Sequence, residues 1–327
     1  MVRRILVYEF VTGGGLGGSI ADGPFAALLR EADLMACALA DDLTGVPGVQ
    51  ATLLRDRALP PPATRAAVLA VDGGDPRAIA AAIAAHDAVW PIAPETGGHL
   101  ERVSRLVLAA GRTLLASAPE AVALAAGKRA TAQRLAAAGV PVIPVHPPWA
   151  APPSPHGWVV KPDDGCGAEG VRRLRGPADL AAWRAEVPPA GCVLQPYVPG
   201  EPASLSLLCR GGRAWLLSVN RQLIAEEADG TLAFGGCAVG ALNHRAAEVA
   251  PLAAAVAAAI PGLWGHAGVD VILTGDGPRV VEVNPRLTTS YAGLRRVTGR
   301  NPAALALADD DPDLPPPRPG PGVEVRV

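Results

Sequence analysis

Apolar segments alternate with amphipathic segments over the first third of the chain. The opening segment ILVYEFV (5–11) has the pattern of a buried strand that runs into a glycine-rich loop, and a helical pattern follows over about 24–43. Further short apolar segments alternate with helical patterns at 77–86 and 99–110. Strands that alternate with helices are typical of a parallel sheet covered by helices. The pattern predicts an N-terminal α/β domain over residues 1–117.

The pattern changes in the second half of the chain. A single helical pattern that ends near Gly139 precedes a proline-rich loop, and the later segments are mostly short and strand-like, with one helix at 246–260. We expect a small α+β subdomain over 118–197 and a larger one over 198–308. The tail, residues 309–327, shows no core-forming pattern and is expected to be an extended end.

The segment GHAGVDVILTGDGPRVVEVNPR predicts two antiparallel strands joined by the turn TGDGP. Glu282 and Asn284 share one face of the second strand, because side chains alternate with a period of two. With Asp276 at the tip, Asp270 lies opposite Glu282, where two carboxylates repel unless a cation lies between them. Oxygen ligands favour Mg²⁺, which is usually shared with substrate phosphates. A solvated strand face is the alternative, and a one-residue slip in register would remove the pairing.

Composition narrows the class of protein. The chain has 327 residues, of which 50% are hydrophobic and 18% charged, and this is typical of a globular protein with two or three domains. The net charge of −2 predicts no affinity for nucleic acid or anionic membranes. Five scattered cysteines without a CxxC pair predict reduced thiols and a cytoplasmic protein, without disulfides or a zinc site. We expect neither a secretory signal nor a membrane span.

One glycine-rich segment in the middle of the chain is a candidate phosphate-binding loop. Lys161 ends a predicted strand and precedes Gly165, Gly167 and Gly170. Backbone N–H groups of such a loop can wrap a phosphate while a lysine adds a compact positive charge. A mobile hairpin tip is the alternative for the glycines. For Lys128, in a helical segment, the alternative is an ordinary solvated helix lysine.

The glycine-rich loop after the first strand has competing interpretations. Three of its glycines fit the GxGxxG dinucleotide fingerprint: Gly13, Gly15 and Gly18. The next acidic residue that closes a strand is Asp56, far beyond the usual spacing of about 20 residues. Glu9 ends the first strand and Glu95 follows a later one, so both carboxylates are expected at the ligand-binding edge of the sheet. There they either hold a cationic amine or serve as helix N-caps.

The order of these segments resembles the ATP-grasp superfamily of ligases. The resemblance rests on Lys128 ahead of RLAAAGVP, Lys161 ahead of the glycine loop, then LQPYVPGE, Asp270 and EVNPR. It covers nearly the whole chain, and EVNPR is its most specific part. The segments YEFVTGGG and NPRLTTSYAG are also similar to the tyramine–glutamate ligases of methanofuran-type cofactor biosynthesis.

The resemblance implies an ATP-grasp architecture in which two subdomains enclose ATP, with Mg²⁺, or Mn²⁺ in its place. The implied nucleotide-binding residues are Lys128, Lys161, Gly165, Gly167, Gly170, Gln195, Tyr197, Val198 and Glu201. The implied metal ligands are Asp270, Glu282 and Asn284, and the implied catalytic residues are Arg286 and Lys161. The expected substrate-binding residues are Glu9, Glu95, Thr288, Thr289, Ser290 and Tyr291.

The implied activity is ADP-forming ligation of a carboxylate to an amine through an acyl phosphate, with L-glutamate and tyramine or a similar aromatic amine as substrates. The expected partners are small molecules, with no nucleic acid and no membrane, and a homodimer stays open. Two departures stand out: many relatives carry a ribose-binding glutamate where this chain has Pro202, and others an arginine where it has Gly268. Another ATP-grasp amide or peptide ligase, a non-catalytic nucleotide-binding protein and an NAD-dependent oxidoreductase are the alternatives.

Overall fold

The N-terminal part of the protein is a parallel sheet covered by helices. A computed structural model of the chain describes residues 2–16, 26–165, 167–186 and 190–327. The strands of the first sheet are β1 (Arg3–Glu9), β2 (Val49–Asp56), β3 (Ala67–Val71), β4 (Ala88–Ile92) and β5 (Thr113–Leu114), and its helices are α1 (Ala26–Thr44), α2 (Pro76–Ala84) and α3 (His99–Ala109). These elements confirm the predicted α/β pattern. The predicted helix start near Pro24 lies outside the described residues.

The strands of this sheet have the order β3-β2-β1-β4-β5. The apolar run from Ile5 to Tyr8 in β1 and the whole of β4 are buried, as is typical of parallel strands that are covered on both faces. The strand order reverses between β1 and β4. Open α/β sheets bind ligands at such a point, outside the carboxyl ends of the strands. Glu9 and Glu95 both lie at this end of the sheet.

The single helix predicted between about 120 and 138 is two helices in the structure, α4 (Pro119–Ala126) and α5 (Lys128–Ala137). Gly127 between them is extended, with φ −91° and ψ 111°. It forms an isolated bridge with Asp164, and the Lys128 backbone N–H donates to the Asp163 carbonyl. The interruption makes Lys128 the first residue of a helix next to the glycine-rich loop.

A three-stranded antiparallel sheet follows. It consists of β6 (Trp158–Pro162), β7 (Arg172–Leu174) and β8 (Cys192–Pro196), in the order β7-β6-β8, and α6 (Pro177–Glu186) covers it. The strand-dominated prediction for this segment omitted α6. Trp183 on that helix packs with Trp158 of β6 in a small apolar core, so long-range packing stabilises a helix with a weak apolar pattern.

The C-terminal part is a six-stranded antiparallel sheet. Its strands are β9 (Glu201–Arg210), β10 (Arg213–Glu226), β11 (Leu232–Val239), β12 (Gly265–Thr274), β13 (Gly277–Asn284) and β14 (Val323–Arg326), in the order β13-β12-β9-β10-β11-β14. Helix α7 (Ala246–Ala259) packs on this sheet, while α8 (Tyr291–Thr298) and α9 (Pro302–Leu307) pack against α1. In the described part of the chain, no helix is long and apolar enough to cross a membrane.

The C-terminal tail differs from its prediction as an extended end. Its last residues form β14, which pairs with β11, and Val325 is buried there. Earlier in the tail, Leu314 packs against the core and the Arg318 carbonyl accepts a hydrogen bond from Asn243. The alternation of Val323 and Val325 was too short to register as a strand, and the open edge of β11 supplies its partner. The domain boundaries themselves remain predictions.

Candidate active site

The predicted pairing of Asp270 with Glu282 is confirmed on β12 and β13. Asp276 lies in the turn as predicted, but it shares the tip with Gly275, because Thr274 pairs with Gly277. The register shifts by one residue next to Asp270, which leaves Val281 as an extra residue in β13. This bulge compensates for the shorter turn, so the two carboxylates still face each other.

Each of the two paired carboxyls changes the proton affinity of the other. The pKa of Asp270 is raised, first by burial and then by the adjacent Glu282, to which it is hydrogen bonded. Burial also favours the neutral form of Glu282, yet the ammonium groups of Lys161 and Lys128 keep its pKa below the usual value. Without a cation, a proton is therefore favoured on Asp270 rather than on Glu282.

The ammonium groups of Lys128 and Lys161 converge on one oxygen of this pair. Their Nζ atoms lie 3.6 and 3.8 Å from Glu282 Oε2, and both side chains are buried. The pKa of Lys161 is lowered to about 8, mainly by burial. Lys128 also donates to the Gly165 carbonyl, so it holds the start of the glycine-rich loop. The solvated helix lysine that was the alternative for Lys128 does not match this burial.

These two residues are the only lysines in the sequence, which otherwise uses arginine at its basic positions. An ammonium is a compact charge whose pKa shifts readily on burial, whereas a guanidinium is larger and stays charged. Both lysine side chains of the protein therefore lie next to Glu282. Sequence analysis missed this signal, although the composition alone contains it.

The glycine-rich loop after β6 needs its glycines for backbone reasons. Gly167 and Gly170 have φ values of +65° and +68°, in the left-handed region that favours glycine. A Cβ on Gly165 would lie 3.1 Å from Pro162 Cβ and 3.8 Å from Lys128 Nζ. The loop therefore approaches Lys128 closely. Cys166, within it, lies outside the described residues.

The residues predicted to accept adenine and ribose lie on β8, in the connection after it and at the start of β9. Gln195 is buried, and its Nε2 donates to the Ile143 carbonyl at 3.1 Å. The Arg173 guanidinium lies 3.7 Å above the centre of the Tyr197 ring, and Val198 follows at the end of this segment. Glu201 Oε1 accepts from Arg221 Nε at 2.7 Å. The nucleotide-binding roles of these residues remain predictions.

Arg286 follows β13 and lies against the N-terminal domain. Its Nε is 3.0 Å from Glu95 Oε1 and 3.2 Å from Glu95 Oε2, and its Nη1 donates to the Leu287 carbonyl. Glu95 is only 5% exposed and makes no side-chain cap hydrogen bond to the short helix that follows it. The prediction left an amine ligand or an N-cap open for Glu95. The partner of its carboxylate is one that neither alternative named: Arg286, which lies 191 residues away in the sequence.

Comparison with known families decides how these elements are classified. Residues 125–290 match the family model described as an ATP-grasp domain, and residues 49–122 match the pre ATP-grasp 3 domain. The chain belongs to the ATP-grasp family. This agrees with the predicted fold and with the resemblance carried by the lysines and the EVNPR segment.

Individual relatives extend the comparison. A curated tyramine–L-glutamate ligase from Methanocaldococcus jannaschii is 36% identical over 104 residues, which are 32% of this chain and 32% of the relative. The match thus spans about a third of the length of the curated relatives. Among solved structures, a putative ATP-grasp superfamily protein from Archaeoglobus fulgidus superposes with a TM-score of 0.71 at 23% identity, over 93% of this chain and 87% of that one. An L-amino acid ligase from Bacillus licheniformis gives 0.64 at 18% identity, over 93% and 73%. Both structures show the same fold.

The donor set of the ATP-grasp hairpin fits Mg²⁺. Asp270 and Glu282 offer carboxylate oxygens, and Asn284 adds an amide oxygen on the same face of β13. Within the described ranges, no group of three or more His, Cys, Asp or Glu side chains could hold a metal ion. A site with two carboxylates leaves coordination positions for phosphate oxygens, as magnesium in nucleotide sites requires. A cation bound by both carboxyls would favour the ionised form of Asp270, which burial and Glu282 disfavour.

The residues of the predicted substrate-binding segment after Arg286 have different surroundings in the structure. Thr288 Oγ1 lies 3.1 Å from Ser290 Oγ, which lies 2.8 Å from Ser206 Oγ on β9. Thr289 donates to Glu31 of α1. The substrate-binding role of Tyr291 stays a prediction. Its side chain is 2% exposed in the hydrophobic core, where burial raises its pKa well above the usual value.

The described part of the glycine-rich loop after β1, up to residue 16, is closed on itself. The Glu9 carboxylate accepts from the backbone N–H groups of Val11 and Thr12 at 3.1 and 2.6 Å, and burial raises its pKa to about 7. The N–H groups of residues 13–15 all donate to carbonyls within the same loop. These donors are therefore not available to a phosphate, which argues against the dinucleotide interpretation. Gly18, the third glycine of that fingerprint, lies outside the described residues.

Proposed function

We propose that this ATP-grasp protein is an ADP-forming carboxylate–amine ligase that makes an amide through an acyl phosphate. The observation that carries the proposal is the convergence of Lys128 and Lys161 on Glu282 opposite Asp270. In this buried cluster, the two lysines can bind the phosphate oxygens of a nucleotide, and the two carboxylates can bind the metal ion that accompanies it. A purely structural cluster would not need two lysines in a chain that otherwise uses arginine.

The reaction has two steps. A substrate carboxylate oxygen attacks the γ-phosphorus of ATP, and ADP leaves. The amine nitrogen then attacks the acyl carbon, phosphate leaves and the nitrogen loses a proton. Phosphoryl transfer depends on in-line positioning and on neutralisation of oxygen charge more than on a protein nucleophile. Lysine and arginine side chains therefore suffice.

Each residue of the site has a proposed part in these steps. Lys128 and Lys161 neutralise phosphate charge, and a bound phosphate favours the charged form of Lys161, which burial alone disfavours. Arg286 binds the acyl phosphate and the oxyanion that develops in the second step. Bound Mg²⁺, held by Asp270, Glu282 and Asn284, would neutralise the phosphate oxygens.

We further propose L-glutamate as the acid and tyramine, or a similar aromatic amine, as the acceptor, in the biosynthesis of a methanofuran-type cofactor. The name of the curated relatives, which match over about a third of their length, supports the two substrates. The cofactor pathway is an implication of the sequence resemblance alone. Another ATP-grasp amide or peptide ligase is the nearest alternative. A non-catalytic nucleotide-binding protein would bind ATP without releasing ADP.

The test is ADP release with Mg²⁺–ATP, glutamate and tyramine, with each substrate omitted in turn and mass spectrometry of the product. Release that needs both substrates, with a product mass equal to their sum less one water, supports the proposal. Arg286→Ala should abolish the product, and Arg296→Ala, an exposed arginine of α8, is the matched control. If ATP stabilises the protein but no acid and amine pair gives ADP, the non-catalytic alternative is favoured.

A further inference from the structure

Residues 93–98 join β4 to α3 at the point where the strand order of the first sheet reverses, and the last four of them, Glu95 to Gly98, form a turn. Glu95 is buried, whereas Gly97 is exposed. Gly97 and Gly98 have φ values of +60° and +68°, so only glycines adopt this turn without strain. The turn is therefore tight, and a displacement at Gly97 is transmitted to Glu95 over only two residues.

Glu95, the first residue of the turn, forms an ion pair with Arg286. Both oxygens of Glu95 lie within 3.2 Å of Arg286 Nε, and both side chains are largely buried. A buried carboxylate restricts the orientation of a guanidinium more strongly than a neutral partner does. The charge of Arg286 also reaches Glu282. By orienting Arg286, Glu95 thus influences the charge around Glu282, on the hairpin of β12 and β13.

At its third residue the turn contacts the phosphate-binding segment. The Gly97 N–H donates to Asp164 Oδ2 at 2.9 Å. Asp163, next to it, accepts from the backbone N–H of Arg129 at 2.9 Å, and its carbonyl accepts from that of Lys128 at 3.2 Å. Residues 163–165 therefore lie between the turn on one side and the first turn of α5 on the other.

We propose that Glu95 is a positioning residue for Arg286, and that the turn from Glu95 to Gly98 couples this arginine to the phosphate-binding segment through Asp164. The inference rests on the proposed function, because it gives Arg286 its part in the chemistry. In this arrangement a nucleotide that orders residues 163–165 also holds Gly97, and with it the carboxylate that orients Arg286. Placement of the arginine then depends on the presence of the nucleotide.

The first test separates positioning from a structural role. Glu95→Gln keeps the shape and an acceptor but loses the charge, so kcat should fall by about ten- to a hundredfold, as for a lost charge-assisted hydrogen bond. The KM for ATP and the melting temperature should stay close to those of the wild type, and Glu95→Asp should recover part of the rate. Glu101→Gln, on α3, is the matched control. An unchanged kcat, or a loss of kcat in parallel with stability, would overturn the positioning role.

The second test needs no turnover. Saturating Mg²⁺–ADP should slow hydrogen exchange of residues 95–98 in the wild type and in the control Asp276→Ala, but not in Asp164→Ala. Equal protection in Asp164→Ala, or none in the wild type with ADP bound, would overturn the coupling. If the wild type makes no amide from any acid and amine pair, the proposed function fails while this measurement still decides the coupling.

Discussion

Asp270 and Glu282 lie directly opposite each other on neighbouring antiparallel strands, with their carboxyls hydrogen bonded. Like charges in this arrangement are destabilising, and here burial and the Glu282 charge both raise the pKa of Asp270. The metal-free protein therefore contains a local electrostatic cost at the position where we propose that a cation binds.

Asp270→Asn should relieve this cost and at the same time remove the metal site. We expect the metal-free variant to be more stable than the wild type by at least about 1 kcal/mol at pH 7, because a raised carboxyl pKa opposes folding above its usual value. We also expect the stabilisation by Mg²⁺–ADP to disappear and turnover to fall by at least about a hundredfold. Thermal unfolding with and without Mg²⁺–ADP measures the first two effects.

Asp276→Asn is the matched control, since Asp276 is exposed in the turn of the same hairpin. It should leave stability, the response to Mg²⁺–ADP and turnover close to those of the wild type. A metal-free Asp270→Asn protein that is less stable than the wild type would contradict the electrostatic argument.

The two lysines allow a second prediction about proton affinity. Because burial lowers the pKa of Lys161 to about 8, the labelling rate of this residue by an amine-reactive reagent should rise with a midpoint near that pH. Mg²⁺–ATP should slow the labelling. Arg296→Lys supplies an exposed reference lysine, whose midpoint should be about 10.4. Peptide mass spectrometry separates the two sites, and equal midpoints would contradict the prediction.

Local patterns predicted much of the fold. The alternation of Val281 and Val283 with Glu282 and Asn284, together with a glycine-rich turn, predicted a hairpin in which Asp270 pairs with Glu282, because side-chain period and turn position both constrain register. The bulge at Val281 could not be predicted, because one extra valine in a valine-rich strand does not change the local sequence pattern. The predicted pairing of Asp270 with Glu282 is correct because the shorter turn and the bulge shift the register in opposite directions.

Contacts distant in sequence could not be predicted in this way. The partner of Glu95 is an arginine on another domain, and the pairing depends on how that domain packs against β4. The buried position of Tyr291 likewise depends on distant residues, because its ring contacts His266 of β12 and its hydroxyl interacts with Asp42 of α1. Strand β14 needed the unpaired edge of β11, which no local pattern reports. The choice of lysine at residues 128 and 161, by contrast, was readable from composition.

His266 predicts an acid limit to stability. Its ring lies 4.9 Å from that of Tyr291, and its Nε2 is 3.0 Å from the Pro302 carbonyl. Burial lowers its pKa to about 4, so between pH 6.5 and 4 the unfolded chain binds a proton that the folded protein does not. Stability should therefore fall as the pH drops through this range, by about 3 kcal/mol from this residue.

Urea unfolding at pH 6.5 and at pH 4.5 measures this contribution. His266→Gln keeps a donor towards the Pro302 carbonyl but does not titrate, so its loss of stability between the two pH values should be smaller than that of the wild type. His156→Gln, at an exposed position, should behave as the wild type does. Equal losses in all three proteins would contradict the role of His266.

Gly268 and Thr288 form a contact that explains one departure from the family pattern. A Cβ on Gly268 would lie 2.7 Å from Thr288 Cγ2, so the threonine fills the space where other ATP-grasp proteins were expected to carry an arginine. Gly268→Ala should displace Thr288 and lower kcat, by about tenfold if the clash costs about 1–2 kcal/mol. Because Thr288→Ser removes the clashing methyl and keeps the hydroxyl, adding it to Gly268→Ala should restore most of the rate, while Thr288→Ser alone changes it little. A double variant as slow as Gly268→Ala would show that the glycine is needed for another reason.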